Sequence, residues 1–469
     1  MEVTMKENKM ASMPVNKLLI SMALPMMISM LVQALYNIVD SIFVAKYSSA
    51  CMTAISLVFP VQSLMIAGGS GIGVGMNAIL SRHLGARDQE GVNKTAFNGI
   101  AIYTICFIVF VLVGLFGAEP FMRAQASSQE IADAGAVYLK IVCCFSIGMY
   151  TQFCFERMLQ STGKTIYSMI TQMTGAIVNI ILDPILIFGL FGAPEMGMAG
   201  AAIATVIGQC AAGILAIFFN FKFNHEIQLK KIKGFIPSSH TMGKIMYIGI
   251  PSIIMQSIGS IMVLAINTIF SHMNIVDTTL GLVEARDTAI AIFGIYFKLQ
   301  SFIFMPVFGL NNGMVPIVAF NLGAQNKDRL IKTIKLSICY AFSLLLIGTI
   351  IFQLIPDKLL MLFANESNID HILSMGIPAL RTISIHFPVA SFCIISLSVF
   401  QALGNGILSM IVSFLRQLVV LVPVAFLLSL TQHVSNVWFA FLLAECISFT
   451  LCVFAFRYIY KKVIKPLGA

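Results

Sequence analysis

The chain has 469 residues, of which 58% are hydrophobic and 10% are charged, and its formal net charge is +9. A soluble domain carries about 25% charged residues, so this composition excludes a single water-soluble core with a polar surface. It predicts an all-α polytopic membrane protein that is surrounded by lipid. The positive charge needs no nucleic-acid partner, because basic residues accumulate on one side of a membrane protein.

Twelve apolar stretches are long enough to cross about 30 Å of hydrocarbon, which takes about 20 helical residues. A lysine-rich connection divides them into two bundles of six. The predicted units are an N-lobe over residues 1–222, a cytoplasmic basic linker over 223–245 and a C-lobe over 246–469. The predicted spans are 15–44, 52–80, 95–118, 132–158, 166–191, 197–221, 246–271, 288–318, 333–355, 373–402, 407–430 and 435–457.

The basic residues set the orientation of these spans. If the N-terminus is cytoplasmic, 21 of the 29 Lys and Arg residues lie in or beside cytoplasmic segments and four face outward. This excess follows the positive-inside rule and places both termini in the cytoplasm, with the protein in the bacterial cytoplasmic membrane. The polar segment from Met1 to Asn16 is followed by no small-residue cleavage site, so we expect no removable signal peptide.

Short pieces of sequence recur in the same order in the two halves. Leu84-Gly85-Ala86 follows span two, and Leu322-Gly323-Ala324 follows span eight. Asp40-Ser41-Ile42-Phe43 in span one matches Asn267-Thr268-Ile269-Phe270 in span seven. Because each copy has an even number of spans, the copies are parallel and related by a pseudo-twofold axis along the membrane normal. A binding site is expected between them near the midplane.

Two carboxylates, those of Asp40 and Asp183, lie inside apolar spans of the first half. A charge at the bilayer centre costs about 2.5 kcal/mol or more, so an acid kept there points to an ion, a proton or a substrate. Asn179 lies one helical turn before Asp183 on the same face, and Pro184 removes a backbone N–H beside the acid. Carboxylate, amide and hydroxyl oxygens suit a sodium ion. Two neighbouring acids could instead carry protons.

These residues resemble the multidrug and toxic compound extrusion (MATE) family. The pieces that carry the resemblance are Pro25, Tyr36 and Asp40 in span one, Ser81-Arg82-His83-Leu84-Gly85-Ala86 after span two, Tyr138-Leu139-Lys140-Ile141 in span four, Asn179 with Leu182-Asp183-Pro184 in span five, Gly197 with Gly200-Ala201-Ala202-Ile203-Ala204-Thr205 in span six, and Pro316-Ile317-Val318-Ala319-Phe320-Asn321-Leu322-Gly323-Ala324 after span eight. The resemblance covers nearly the whole chain.

The resemblance implies a secondary active antiporter with two lobes around a central cavity. Such a protein exports lipophilic, mostly cationic compounds in exchange for inward Na⁺ or H⁺. The resemblance also implies a cation site in the N-lobe, with Tyr36 and Tyr138 beside it at the substrate cavity. The residues of this site are Asp40, Asn179, Asp183 and Thr205, which would ligate Na⁺ if the coupling ion is sodium.

Four single residues carry further expectations. Pro25 and Pro251 would each bend a long helix near its middle. Glu156 either lines the substrate cavity or extends to the cytoplasmic interface beside Arg157. Glu445 in span twelve could bind an organic cation or pair with a C-lobe donor.

Two other classes of function stay open at this point. Exporters of lipid-linked sugars or polysaccharides belong to the same superfamily, but they carry more spans and a basic cavity, whereas Lys298 and Arg416 are the main basic residues within spans here. A remote alternative is an intramembrane serine protease, from Gly68-Gly69-Ser70-Gly71 and His386. No Walker motif is present, so ATP is not expected as the energy source. We further expect no cofactor, no enzymatic activity and a monomer among membrane lipids; the substrates and the coupling ion stay open.

Overall fold

The structure is a computed structural model that describes residues 8–229, 235–276, 280–363 and 369–467. Over these residues the chain is helical and forms no strand. Ten of its helices are long and apolar enough to cross a membrane, and two bent pairs of helices bring the number to twelve. The predicted all-α polytopic membrane fold is confirmed.

The membrane helices of the first half are α1 (Val15–Tyr47), α2 (Ser49–Gly85), α3 (Gln89–Gln125), α4 (Gln129–Cys144 and Ile147–Ser161), α5 (Thr165–Phe188) and α6 (Gly197–Phe223). Those of the second half are α7 (Ser239–His272), α8 (Leu282–Gly323), α9 (Lys327–Leu354), α10 (Ile369–Ser384 and Phe387–Ala402), α11 (Gly406–Ser429) and α12 (Val434–Ile464). Each coincides with one predicted span. The linker residues Lys230, Lys231 and Lys233 lie outside the described residues.

The turn between α2 and α3 is repeated between α8 and α9. Arg87 and Gln325 both have φ of 57°, in the left-handed region. Asp88 and Asn326 follow them and cap the next helix, each accepting a hydrogen bond from a backbone N–H in its first turn. A left-handed residue followed by a polar N-cap is a specific local arrangement, so its recurrence supports the duplication.

Helices α4 and α10 are bent at equivalent places. The two segments of α4 meet at 45° and those of α10 at 50°. In α10, Pro388 is the second residue of the second segment, where its missing N–H is tolerated. Both helices are followed, two residues after their last helical residue, by a glycine in the left-handed region, Gly163 with φ of 84° and Gly404 with φ of 85°. Helices α1 and α7, by contrast, run uninterrupted through Pro25 and Pro251.

The two halves pack together along α1 with α8 and along α2 with α7. A Cβ added at Gly75 would lie 2.2 Å from the carbonyl oxygen of Ile245, and one at Gly313 would lie 2.6 Å from Cα of Ala23. Only glycine allows such an approach of two backbones, as at other membrane helix interfaces. The glycine-rich run of α2 is therefore a packing surface.

Helices α2 and α8 cross each other at their C-terminal ends. A Cβ added at Gly85 would lie 2.0 Å from the carbonyl oxygen of Phe320, and one at Gly323 would lie 1.9 Å from that of Arg82. If the two halves are exchanged, Gly85 takes the place of Gly323 and Phe320 that of Arg82, so each contact becomes the other. They are the observation that fits a pseudo-twofold axis most directly.

The segment before α1 joins the two halves at this same end. The Asn8 side chain donates to the carbonyl of Thr162 in the first half at 3.0 Å and to Glu226, just after α6, at 3.2 Å. Arg329 of α9 donates through Nη2 to the carbonyls of Met10 at 2.9 Å and Met13 at 2.8 Å. This segment therefore connects the two halves beside the crossing of α2 and α8.

Candidate functional site

A cavity of about 810 Å³ lies between the two halves and is lined by helices of both. This volume is within the range of sites that hold drug-sized molecules. Flexible methionines can repack around ligands of different shape, which suits a cavity of broad specificity. The methionines in the wall are Met30, Met149, Met255, Met262 and Met305.

The predicted cation-site residues come together on one side of this cavity. Asn179 and Asp183 project from one face of α5, and Asn179 Nδ2 lies 3.3 Å from Asp183 Oδ1 and 3.3 Å from Oγ1 of Thr205 on α6. Asp40 reaches the same place from α1, where its carboxyl group contacts that of Asp183. Three separate helices thus supply one compact cluster of oxygen atoms.

Three oxygens of this cluster are buried and have no hydrogen-bond partner among the described residues. They are Asp40 Oδ1, Asn179 Oδ1 and Asp183 Oδ2. Buried polar atoms are almost always satisfied, and all three of these are acceptors. The donor set therefore fits a small cation held by hard oxygen ligands, and it also fits a proton shared between two carboxylates.

Two tyrosines lie beside the cluster, one at the cavity surface and one buried behind it. Tyr36 lines the cavity, and its ring lies close to Asp40 and Asp183 with its hydroxyl at Thr205. Tyr138 is buried behind the wall, where Gln62 Nε2 donates to its hydroxyl at 3.4 Å. The sequence placed both at the cavity, whereas the structure brings only Tyr36 to the surface.

Glu156 lies in the cavity wall and not at a membrane interface. It is 2% exposed. Its carboxylate accepts hydrogen bonds from Gln152 Nε2 at 2.9 Å, Thr171 Oγ1 at 2.8 Å and Gln172 Nε2 at 2.7 Å. Of the two positions that the sequence allowed, the structure shows the cavity one.

Arg157 also points inward, although the sequence counted it with the cytoplasmic basic residues. Its Nη1 donates to Gln160 Oε1 at 2.9 Å and to Asn312 Oδ1 at 3.1 Å. Asn312 belongs to α8, so this arginine connects the two halves across the cavity wall. The sequence missed this contact because hydrophobicity does not encode how α4 is rotated against α8.

The C-terminal half contributes a charged group that the sequence did not assemble. Arg416 Nη1 on α11 lies 3.4 Å from Glu445 Oε1 on α12. Glu445 therefore pairs with a C-lobe donor, one of the two roles expected for it. The described part of the cavity wall contains two acidic and two basic side chains, so its acidic and basic charges balance. They are Glu156, Glu445, Arg157 and Arg416. This is not the basic cavity expected of a lipid-linked sugar exporter.

The serine and histidine of the protease alternative are not paired with each other. Ser70 Oγ donates to Gln256 Oε1 at 2.8 Å. His386 Nδ1 lies 2.6 Å from the carbonyl oxygen of Ile383, at the bend of α10. A nucleophile needs its base within hydrogen-bond distance, so these contacts do not form a catalytic dyad.

Comparisons with known proteins agree with this arrangement. The family model of MatE matches residues 25–185 and 263–427, once in each half and with the offset that separates Gly85 from Gly323. The Multidrug export protein MepA of Staphylococcus haemolyticus is 28% identical over 450 residues, which cover 94% of this chain and 92% of that protein.

Two solved structures have the same fold. One is described as the outward-facing conformation of a multidrug resistance MATE family transporter of the MOP superfamily; its TM-score is 0.90 at 24% identity, covering 99% of this chain and 100% of that chain. The other is a crystal structure of MATE in complex with MaL6, with a TM-score of 0.89 at 23% identity, covering 97% and 99%.

Proposed function

This chain belongs to the MatE family, and we propose that it is a secondary active multidrug efflux antiporter of the bacterial cytoplasmic membrane. It exports lipophilic, mostly cationic compounds in exchange for inward Na⁺ or H⁺. The observation that carries the proposal is the buried cluster of Asp40, Asn179 and Asp183, whose unpartnered oxygens adjoin a large cavity between the two halves. The export of drugs by the similar MepA proteins supports the same reading.

The cluster couples the ion to the substrate through the residues that separate them. Tyr36, Asn179 and Thr205 each face the cavity. Asn179 donates to Asp183 behind it and to Thr205 beside it, and Tyr36 lies within electrostatic range of Asp40 and Asp183. A cation bound by Asp40 and Asp183 removes the negative charge that attracts a cationic drug. Ion and drug therefore compete for one charged region, and competition of this kind is the basis of exchange.

Alternating access follows from where the halves touch. The glycine contacts of α2 and α8 lie on the half of these helices that ends at Gly85 and Gly323. The positive-inside rule places that end, with Arg82 and Arg87, in the cytoplasm. We infer from this orientation that the crossing closes the cytoplasmic side of the cavity, as in an outward-facing state, and that an inward-facing state requires the α2–α8 crossing to separate.

Efflux of ethidium from proteoliposomes, with imposed sodium or proton gradients, tests the proposal. We expect wild-type efflux to follow one of the two gradients, which names the coupling ion. Asp40→Asn and Asp183→Asn keep the side-chain size but remove the charge, and each should abolish the dependence on the gradient. Asp133→Asn is the matched control, because Asp133 is an exposed carboxylate on α4 whose hydrogen-bond partner is Gln129 and not a residue of the cluster.

Ethidium movement that ignores both gradients and both cluster variants would overturn the antiporter. In that event a flippase assay with fluorescent lipid-linked sugar would be the next measurement. Efflux that follows a gradient equally well in Asp183→Asn would instead show that the coupling ion binds elsewhere.

A further inference from the structure

The C-lobe side of the cavity holds a guanidinium group with unused donors. The single contact of Arg416 to Glu445, at 3.4 Å, is longer than the roughly 2.7–2.9 Å of a strong charge-assisted hydrogen bond. Arg416 lines the cavity with its side chain 21% exposed. Its Nε is buried and has no partner among the described residues. A guanidinium has five N–H donors, so the single contact to Glu445 leaves donors of Arg416 without an assigned acceptor.

A second unpartnered group lines the same cavity. Tyr296 of α8 is fully buried yet lines the cavity wall, and its hydroxyl has no hydrogen-bond partner in the described part of the chain. It lies within electrostatic range of both Arg416 and Glu445. A buried donor that has no hydrogen-bond acceptor costs about 1–3 kcal/mol. Two unpartnered donors in one stretch of the cavity wall point to an acceptor that binds there.

The surroundings describe the rest of the ligand. The ring of Phe441 lies 5.7 Å from that of Tyr296 and 6.0 Å from that of His386, so the donors stand in an aromatic wall. Aromatic walls hold flat apolar bodies. Arg416 itself belongs to a π-helical turn, Leu415–Leu421, a distortion that is frequent at functional sites.

The number of available guanidinium groups limits the charge of the ligand. Arg157, the other arginine of the wall, already donates to Gln160 and Asn312. Arg416 is the guanidinium of the described wall that lies within electrostatic range of the unpartnered Tyr296 hydroxyl, and Glu445 offsets part of its charge. One such group suits a monoanion such as a carboxylate, whose two oxygens match the guanidinium fork. A phosphate dianion would lack a second cation.

We propose that Arg416 and Tyr296 form a carboxylate-binding subsite in the C-lobe half of the cavity. The substrates are then zwitterionic amphiphiles, with the cationic end toward the N-lobe acids, an aromatic body against Phe441 and the carboxylate on Arg416. Glu445 keeps the arginine paired when no carboxylate is present. This inference rests on the proposed function, since it assumes that the cavity is the substrate site.

Two dyes that differ by one methyl group test the subsite. Rhodamine 110 has a free carboxylate, and rhodamine 123 is its methyl ester on the same cationic ring system. The first readout is fluorescence anisotropy of each dye with the purified full-length protein in detergent, which needs no transport. The quantity compared is the ratio of the two dissociation constants, because the shared ring system cancels in that ratio.

The variants distinguish the contribution of the Arg416 guanidinium to binding from that of its partner Glu445. Arg416→Gln with Glu445→Gln removes both charges together and so leaves no buried unpaired ion. We expect the Kd ratio of rhodamine 110 to rhodamine 123 to rise by about tenfold to a hundredfold, the worth of a charged hydrogen bond. Tyr296→Phe removes one neutral donor and should raise the ratio about threefold to tenfold. Glu445→Gln alone keeps the guanidinium without its competitor, so the ratio should fall or stay unchanged.

A ratio that stays at its wild-type value in the double variant and in Tyr296→Phe would overturn the subsite. So would wild-type protein that binds rhodamine 123 but shows no binding of rhodamine 110. Asp133→Asn serves as the surface control for protein quality. The outcome is distinguishable from failure of the proposed function: an altered ratio with no gradient-driven efflux of either dye would keep the subsite and refute the antiporter.

Discussion

Adding one methyl group at the crossing of α2 and α8 should disfavour the observed conformation. In Gly85→Ala the new Cβ would lie 2.0 Å from the carbonyl oxygen of Phe320, and in Gly323→Ala it would lie 1.9 Å from that of Arg82. The ordinary separation of carbon and oxygen is about 3.3 Å, so the helices must part by about 1.3 Å. The obstructing atoms are backbone, which cannot rotate away as a side chain could.

The cost follows from overpacking. Forcing an extra methyl group into a close-packed contact costs about 1–3 kcal/mol. This cost applies to the state in which α2 and α8 cross, and it is relieved when they separate. The equilibrium between the two access states should therefore shift away from the observed state by about fivefold to 150-fold. Gly85→Ala and Gly323→Ala act at one crossing, so their effects should not add.

Distances between spin labels measure this shift directly. Labels on Lys94→Cys in α3 and Lys332→Cys in α9, both exposed, report on the two halves at this end. The background replaces the exposed Cys339 and Cys446. We expect the double electron–electron resonance distribution to gain a population in which this end is open. Gly243→Ala is the matched control, because nothing lies within 4 Å of its Cβ position. Unchanged distances and unchanged ethidium efflux in both crossing variants would refute the reasoning.

Three further predictions concern other parts of the fold. Arg329→Gln loses two hydrogen bonds to the segment before α1 and should lower the unfolding free energy by about 1–3 kcal/mol, measured by the fluorescence of the single buried Trp438; no loss relative to Lys332→Gln would contradict it. The backbone N–H of Gly91 lowers the pKa of the Asp88 carboxyl at the start of α3, so this cap stabilises above the unfolded pKa of about 3.9 and is lost as pH falls through the lower folded value. Asp88→Ala should then cost about 1 kcal/mol at pH 7 and less at pH 3 in thermal unfolding, and an equal cost at both would refute this. Pro25→Ala should reduce ethidium efflux while leaving the melting temperature nearly unchanged, because Pro25 lies inside an uninterrupted α1; full efflux would show that its ring takes no part in the cycle.

The sequence alone determined the helices and their number. In lipid every backbone N–H and C=O must be satisfied within its own segment, so apolar stretches of sufficient length have to be helices. The repeated pieces around Gly85 and Gly323 also predicted two similar halves. The clustering of Asn179 with Asp183 followed from helical periodicity, since residues four apart share a face.

Tertiary structure decided which side chains meet across helices. Lipid and protein core are equally apolar, so hydrophobicity does not encode how a helix is rotated against its neighbours. The sequence therefore left Glu156 between cavity and interface, and it did not join Arg416 to Glu445 on the next helix. Helices α4 and α10 are interrupted at a bend, whereas α1 and α7 run uninterrupted through Pro25 and Pro251, because a proline inside a packed helix can be accommodated without a break. The sequence predicts each helix from its composition, whereas the cavity forms only when the twelve helices pack together.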